Sequence, residues 1–231
     1  MRIVVTSPCR AAQNFNWSYG GADFAASLDG TGRHEIMVDA FAGTSTPVEI
    51  KFADETVLAL PIEALDLDKV SKVALLWHDQ VDLDLNAFEY AALPGNAGHI
   101  STATPSSLPA AREWIEKSGR GHGFLSTPST DAVSAQPGRD RLQIYTFLHK
   151  AGQAFGLVTT SVDFATRGER AAPPYCGKEA QAEIPFRVVT WSRLGQVGQE
   201  TGVIAAADCG QVLAQAARLN PAALPVIRIR N

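Results

Sequence analysis

Short apolar runs cut off from one another by turn residues recur along this chain, and that rhythm limits what it can fold into. The runs are rich in Val, Ile, Phe and Thr and are bounded by Gly, Pro, Asn and Asp, the signature of β-strands joined by turns. They fall at Glu35–Phe41, Pro47–Phe52, Thr56–Leu60, Lys72–Trp77, Val81–Tyr90, Arg141–His149, Gln153–Phe164, Glu183–Trp191, Gly202–Ala207 and Leu224–Arg230. Gly and Pro number 19 and 13, about one residue in seven, and are spread throughout. Two helices interrupt the pattern. Ser107 caps the first, with Pro109 at its start, Leu108, Ala111, Trp114 and Ile115 on one face, and Gly119 past its end. The second begins near Asp208, carries Val212, Leu213, Ala216 and Leu219, and stops at Asn220-Pro221. Strands and helices do not alternate, so a parallel α/β fold is disfavoured. The expected fold is all-β: an antiparallel β-sandwich, jelly-roll-like, with one or two short helices.

Within that fold, residues 1–32 are poorly periodic and read as an irregular N-terminal segment, with the sandwich domain over residues 33–231. Arg141–His149 and Gln153–Phe164, separated by Lys150-Ala151-Gly152, read as a hairpin. Gly119–Gly138 reads as a long surface loop. Its Gly119-Arg120-Gly121-His122-Gly123 run is either a flexible segment or a place where backbone amides and a cation meet an anion.

The most informative stretch runs from Val73 to Tyr90. Alternate residues of a strand face opposite sides. Val81, Leu83, Leu85 and Ala87 would then face the core, with Asp82, Asp84 and Asn86 together on the other side. Aspartate and asparagine are poor strand formers, so three on one face need a reason. One is a hard cation. Calcium takes 6–8 oxygen ligands, and Asp79, Glu89, Asp66, Asp68 and backbone carbonyls are candidates to complete its shell. The other is structural: a solvated strand face, or carboxylates that tie down nearby backbone amides. His78 and His99 flank this strand and could meet in space, although ordinary surface or capping roles are the favoured reading. Asp82, Asp84, Asn86, Asp79, Glu89 and His99 are therefore the candidate ligand-binding residues, and no catalytic residue is assigned.

Leu75, Trp77, Val81-Asp82-Leu83-Asp84-Leu85, Asn86 and Phe88, followed by Gly98-His99-Ile100, resemble a pattern in the DUF2135-like group of bacterial β-sandwich domains. That pattern is a strand ending in Leu-x-Trp, a short turn, then Val-Asp-Leu-Asp-Leu-His-x-Phe. Over the same residues the chain is similar to the TerD-like calcium-binding domains of tellurium resistance. The first resemblance implies a non-catalytic module of a bacterial, exported protein with a binding or structural role. The second implies a calcium-linked stress protein. Asn86 stands where the first pattern has His, which argues against a transition-metal ligand and keeps an oxygen donor for calcium.

Charge and cysteines narrow the partners. With 20 Lys and Arg against 24 Asp and Glu, the net charge is −4, which offers no basic excess for a nucleic-acid backbone. No apolar run reaches the 18 residues of a membrane-spanning helix. The partner itself is unknown from the sequence, with a protein or a carbohydrate left open. Three cysteines allow one bridge, for which Cys176 and Cys209 are the candidates with Cys9 free; the alternative is two buried thiols. Met1-Arg2 precedes only a short apolar run, Ile3-Val4-Val5, so export would make this chain the processed form. It would then be periplasmic or extracellular, with a cytoplasmic place left open.

Other constellations are sparse. The five histidines form no H-x-x-x-H pair, and no Cys-x-x-Cys, Gly-x-Ser-x-Gly or Walker-type run occurs. No cofactor is expected apart from calcium. A carbohydrate-active hydrolase using paired carboxylates is the enzymatic alternative. Trp77 and Trp191 read as core, whereas Trp17, in a polar run, reads as the exposed aromatic.

Overall fold

The computed structural model describes residues 1–43, 46–63, 67–78, 83–127, 140–150, 158–166, 184–192, 195–204, 208–210 and 227–229. Among them the chain is all-β, with every strand pair antiparallel. The key strand is β7 (Val70–His78), which is buried along both faces except at His78. A strand buried on both sides shows no alternation in sequence. It lies at the middle of a five-stranded sheet in the order β10 (His122–Ser126), β11 (Asp140–Leu148), β7, β13 (Ile184–Ser192), β14 (Gly195–Ile204).

Two cores use the two faces of β7. Val73, Leu75 and Trp77 pack with Leu83, Leu85 and Ala87 of β8 (Leu83–Glu89) and with Tyr145 and Phe147 of β11. That face looks onto a four-stranded sheet, in which β8 lies between β9 (His99–Ile100) and β12 (Val158–Thr166), with β15 (Ile227–Ile229) at the far edge. Val70, Ala74 and Leu76 point the other way, into a core with Phe15, Trp17, Phe24, Ile50 and Phe52. These come from a second four-stranded sheet, β3 (Ala22–Ser27), β2 (Asn14–Tyr19), β5 (Val48–Phe52), β6 (Val57–Leu60). A ribbon of β1 (Arg2–Thr6) and β4 (Arg33–Met37) completes this side. The sheets thus number four among the described residues, where a simple sandwich has two.

Several sequence expectations are corrected. The irregular segment expected over residues 1–32 carries β1, β2 and β3. In β2 the residues Phe15, Trp17 and Tyr19 are buried and alternate with Asn14, Asn16 and Ser18. The two asparagines disguise a strict alternation. Trp17 is accordingly buried and stacks on Phe24 with ring centroids 4.2 Å apart.

The hairpin expected between Arg141–His149 and Gln153–Phe164 does not form. Both edges of β11 are taken, by β10 and β7, so β12 joins β8 in another sheet. The long loop expected over Gly119–Gly138 contains β10.

The helix α1 (Leu108–Ser118) forms with Ser107 as its cap, the hydroxyl accepting from Ala110 N at 3.3 Å, and with Gly119 in the left-handed region at φ 71°. Of its expected apolar face only Ala111 is buried, while Leu108 and Trp114 are both 38% exposed. Asp208–Gly210 ends in a turn, and the helix expected beyond it lies outside the described residues.

Candidate functional site

Strand β8 sets the first polar face. Leu83, Leu85 and Ala87 are buried, and Asp84 and Asn86 are half-buried on the opposite side. Asp79, Asp82, Val81, Asp66 and the side chain of Asp68 lie outside the described residues. The polar face is spent on local structure. Asp84 Oδ1 accepts from Thr102 N at 3.1 Å, and Asn86 Nδ2 donates to the Asp84 carbonyl at 3.0 Å. Asn86 Oδ1 meets His99 Nε2 at 3.0 Å, while Gly95 N donates to His99 Nδ1 at 3.0 Å. An acceptor at Nδ1 leaves the ring proton on Nε2, so both nitrogens of His99 are engaged. The ring also stacks on Phe88, 4.7 Å between centroids. Among the described residues no three His, Cys, Asp or Glu side chains are placed to hold a metal ion.

Glu89 does not join this face. It falls on the core side of β8, 1% exposed, where its carboxylate collects three donors. His122 Nδ1 donates at 2.6 Å, Gly123 N at 2.7 Å and the Tyr145 hydroxyl at 2.7 Å. Trp114 of α1 stacks over His122, 4.9 Å between centroids. A Cβ at Gly123 would come within 2.4 Å of the Tyr145 ring, so the glycine lets the strand close on the network. The Gly-Arg-Gly-His-Gly run is therefore the end of a helix and the start of a strand, built to cover a buried carboxylate. The next side chain, Tyr90, donates its hydroxyl to the Gly121 carbonyl at 2.6 Å. Burial first, then the charge of Glu89, pushes its phenol up to about 12.

A larger opening lies elsewhere, at the end of the central sheet, and has a volume of about 420 Å³. His78 and Asp140 face each other across the β7–β11 pair, with Nδ1 and Oδ1 2.9 Å apart. Asp140 Oδ2 accepts from Asp23 N at 2.8 Å, so both carboxylate oxygens are engaged. Because the carboxylate accepts, Nδ1 of His78 carries the proton and its Nε2 is left available; the side chain is 48% exposed. Opposite stands Arg187 of β13, which donates to the carbonyl of Gly20.

Gly20 and Gly21 form the β2–β3 turn with φ of 59° and 77°, a conformation that favours glycine at both positions. A Cβ at Gly21 would stand 2.8 Å from the Arg187 guanidinium, so this turn is its seat. Leu76, the cross-strand partner of Arg187, supplies an apolar wall with Pro185 and Val203, while the side chains of Trp77 and Phe186 turn to the opposite core. Phe186 lies over Gly202, where a Cβ would come within 2.4 Å of its ring.

A second opening of about 280 Å³, between the β1–β4 ribbon and α1–β10, is lined by both methionines of the chain, Met1 and Met37. Its carboxylate, Asp39, is compensated by an ion pair with the buried Lys72 and accepts from the Ser126 hydroxyl at 2.7 Å.

The structure thus brings Asp84, Asn86 and His99 together and sends Glu89 to the core. His78 does not meet His99 and pairs with Asp140. Asp140 and Arg187 escaped sequence reasoning because the contacts that fix them, with Asp23 N and the Gly20 carbonyl, join residues more than a hundred apart in sequence. The Gly20-Gly21 pair between alternating runs was the available signal. Cys209 is disulfide-bonded and Cys9 is free and exposed, whereas Cys176 lies outside the described residues. Comparison with known proteins finds no match: no family model fits the chain, and no curated protein or solved structure is significantly similar to it.

Proposed function

We propose that this chain is a non-catalytic binding module of an exported bacterial protein, and that its ligand occupies the His78–Asp140–Arg187 cleft. The observation that carries this reading is a cleft of small-molecule size with pre-set polar groups. Its volume, about 420 Å³, falls in the range of ligand pockets. Asp140 is fixed by cross-strand and backbone contacts, and Arg187 is held by a turn, so little ordering cost falls on binding.

The described lining holds one carboxylate, Asp140, and one hydroxyl, Thr201. That set supports binding over glycoside hydrolysis, which uses two carboxyl groups. The bonds that occupy Asp84, Asn86 and His99 support the structural reading of the acidic strand over calcium. Export is supported by the disulfide at Cys209, since such bonds persist in oxidising compartments. The bacterial origin rests on the motif resemblance around Leu75–Ile100.

A fragment screen read by backbone amide shifts tests the cleft. Perturbations should cluster at the end of β7, on β13 and β14, and at the Gly20-Gly21 turn. Responses confined to the Met1–Met37 opening or to the acidic strand would overturn the assignment.

A further inference from the structure

We infer that the ligand of this cleft is a small hydrophobic carboxylate, and that Arg187 is the residue that recognises its charge. This rests on the cleft reading above and adds the chemical class. Among the described residues, three charged or titratable ones line the opening: Arg187, Asp140 and His78. Asp140 has both oxygens engaged, one by His78 and one by Asp23 N. Arg187 is half-buried and spends one donor on the Gly20 carbonyl, and it forms no ion pair with a described carboxylate. A guanidinium has five N–H donors in a planar fork, so donors remain for a ligand.

A partly desolvated cation without an anionic partner is costly, and an arriving carboxylate would remove that cost while matching the fork with two parallel hydrogen bonds. The contrast with Lys72 is direct. That lysine is buried too, but the protein supplies its counter-charge in Asp39. At Arg187 no described carboxylate plays that part, and the counter-charge is left to the ligand.

The rest of the cleft selects among anions. With one guanidinium and one carboxylate, Asp140, lining the same opening, a singly charged group is favoured over a phosphate dianion, which Asp140 would repel more strongly. The apolar side chains on the Arg187 face of the sheet, Leu76, Pro185 and Val203, match a ring or branched aliphatic body. Polar sugars satisfy neither the walls nor the charge.

The test titrates the whole protein with phenylacetate, its neutral isostere phenylacetamide, and phenyl phosphate, following amide shifts at the cleft. Phenylacetate should bind at least tenfold tighter than phenylacetamide, and tighter than phenyl phosphate. Arg187→Met should reduce phenylacetate to the level of the amide and leave the amide unchanged. Arg187→Lys, which keeps the charge without the fork, should fall between them. The wild-type comparison stands even if loss of the Gly20 contact unfolds a variant.

Equal binding of phenylacetate and phenylacetamide would overturn the carboxylate inference while leaving the cleft as a binding site. Tighter binding of phenyl phosphate would overturn it in favour of a phosphate. Failure of all three probes, with other neutral fragments still perturbing the cleft, would defeat the inference alone. Silence of the cleft toward every fragment would take the proposed function with it.

Discussion

Gln143 sits on β11 with its side chain 5% exposed, between two sheets. Its Oε1 accepts from Leu85 N at 2.8 Å, and its Nε2 donates to the Leu83 carbonyl at 2.8 Å. A side-chain amide thus takes the place of a neighbouring strand along the edge of β8 that β9 does not reach. Gln143→Leu would orphan two buried backbone groups, at about 1–3 kcal/mol each. A urea midpoint within error of the wild type would show that these groups find other partners. Tyr90 gives a pH effect of definite sign. Its phenol is raised from 10.0 to about 12 by burial and the Glu89 charge, so the fold favours the neutral form. The unfolded chain ionises first as pH rises past 10, and stability from this residue is complete below that point and lost on the way to 12. Tyr19, raised by burial, adds in the same direction. Stability should therefore fall over this interval, and Tyr90→Phe should flatten the fall while lowering stability at neutral pH through loss of the Gly121 bond. Equal alkaline slopes for the two proteins would contradict the assignment.

The elements themselves were legible where the pattern of one strand or helix is self-sufficient. Ser107 and Gly119 mark α1 because capping is a local act of the backbone, and Leu83, Leu85 and Ala87 reveal the register of β8 because only one of its faces meets a core. Pairing is different, since it depends on which edges are free. Nothing in Lys150-Ala151-Gly152 tells that β11 already has a neighbour on each side. Strand β10 was hidden for another reason. Gly121 just before it and Gly123 within it, poor strand formers, are there because the rings of Phe147 and Tyr145 fill the space a Cβ would occupy. That account predicts a contrast between two glycines. Gly123→Ala would push a methyl to within 2.4 Å of the Tyr145 ring and disturb the Glu89 network, whereas a Cβ at Gly198 meets nothing within 4 Å. Thermal melts should show Gly123→Ala destabilised by about 1–3 kcal/mol, the usual cost of overpacking, with Gly198→Ala little changed. Similar melting temperatures for the two variants would mean that β10 yields easily.

At the scale of the whole molecule, the central sheet couples two cores, and β7 carries the coupling in consecutive residues. Leu75, fully buried, belongs to the core shared with β8; Leu76, 5% exposed, belongs to the core shared with β2 and β5. A conventional sandwich would show water one of these faces, so the unbroken apolar run Val73-Ala74-Leu75-Leu76-Trp77 is the sequence sign that both are covered. The site depends on the same arrangement. His78 ends β7, Asp140 begins β11, Arg187 lies on β13, and the glycine turn that seats Arg187 comes from the sheet across the second core. The cleft therefore keeps its shape only while both cores hold. Leu75→Ala and Leu76→Ala should each cost about 2–5 kcal/mol, as truncations of buried leucines do. If the central sheet makes one cooperative unit, each variant lowers the midpoint of a single unfolding transition, and amides of β2 and β8 lose protection together in both. Two separable transitions, with Leu75→Ala moving only the one reported by β8 and Leu76→Ala only the one reported by β2, would mean that the cores melt independently.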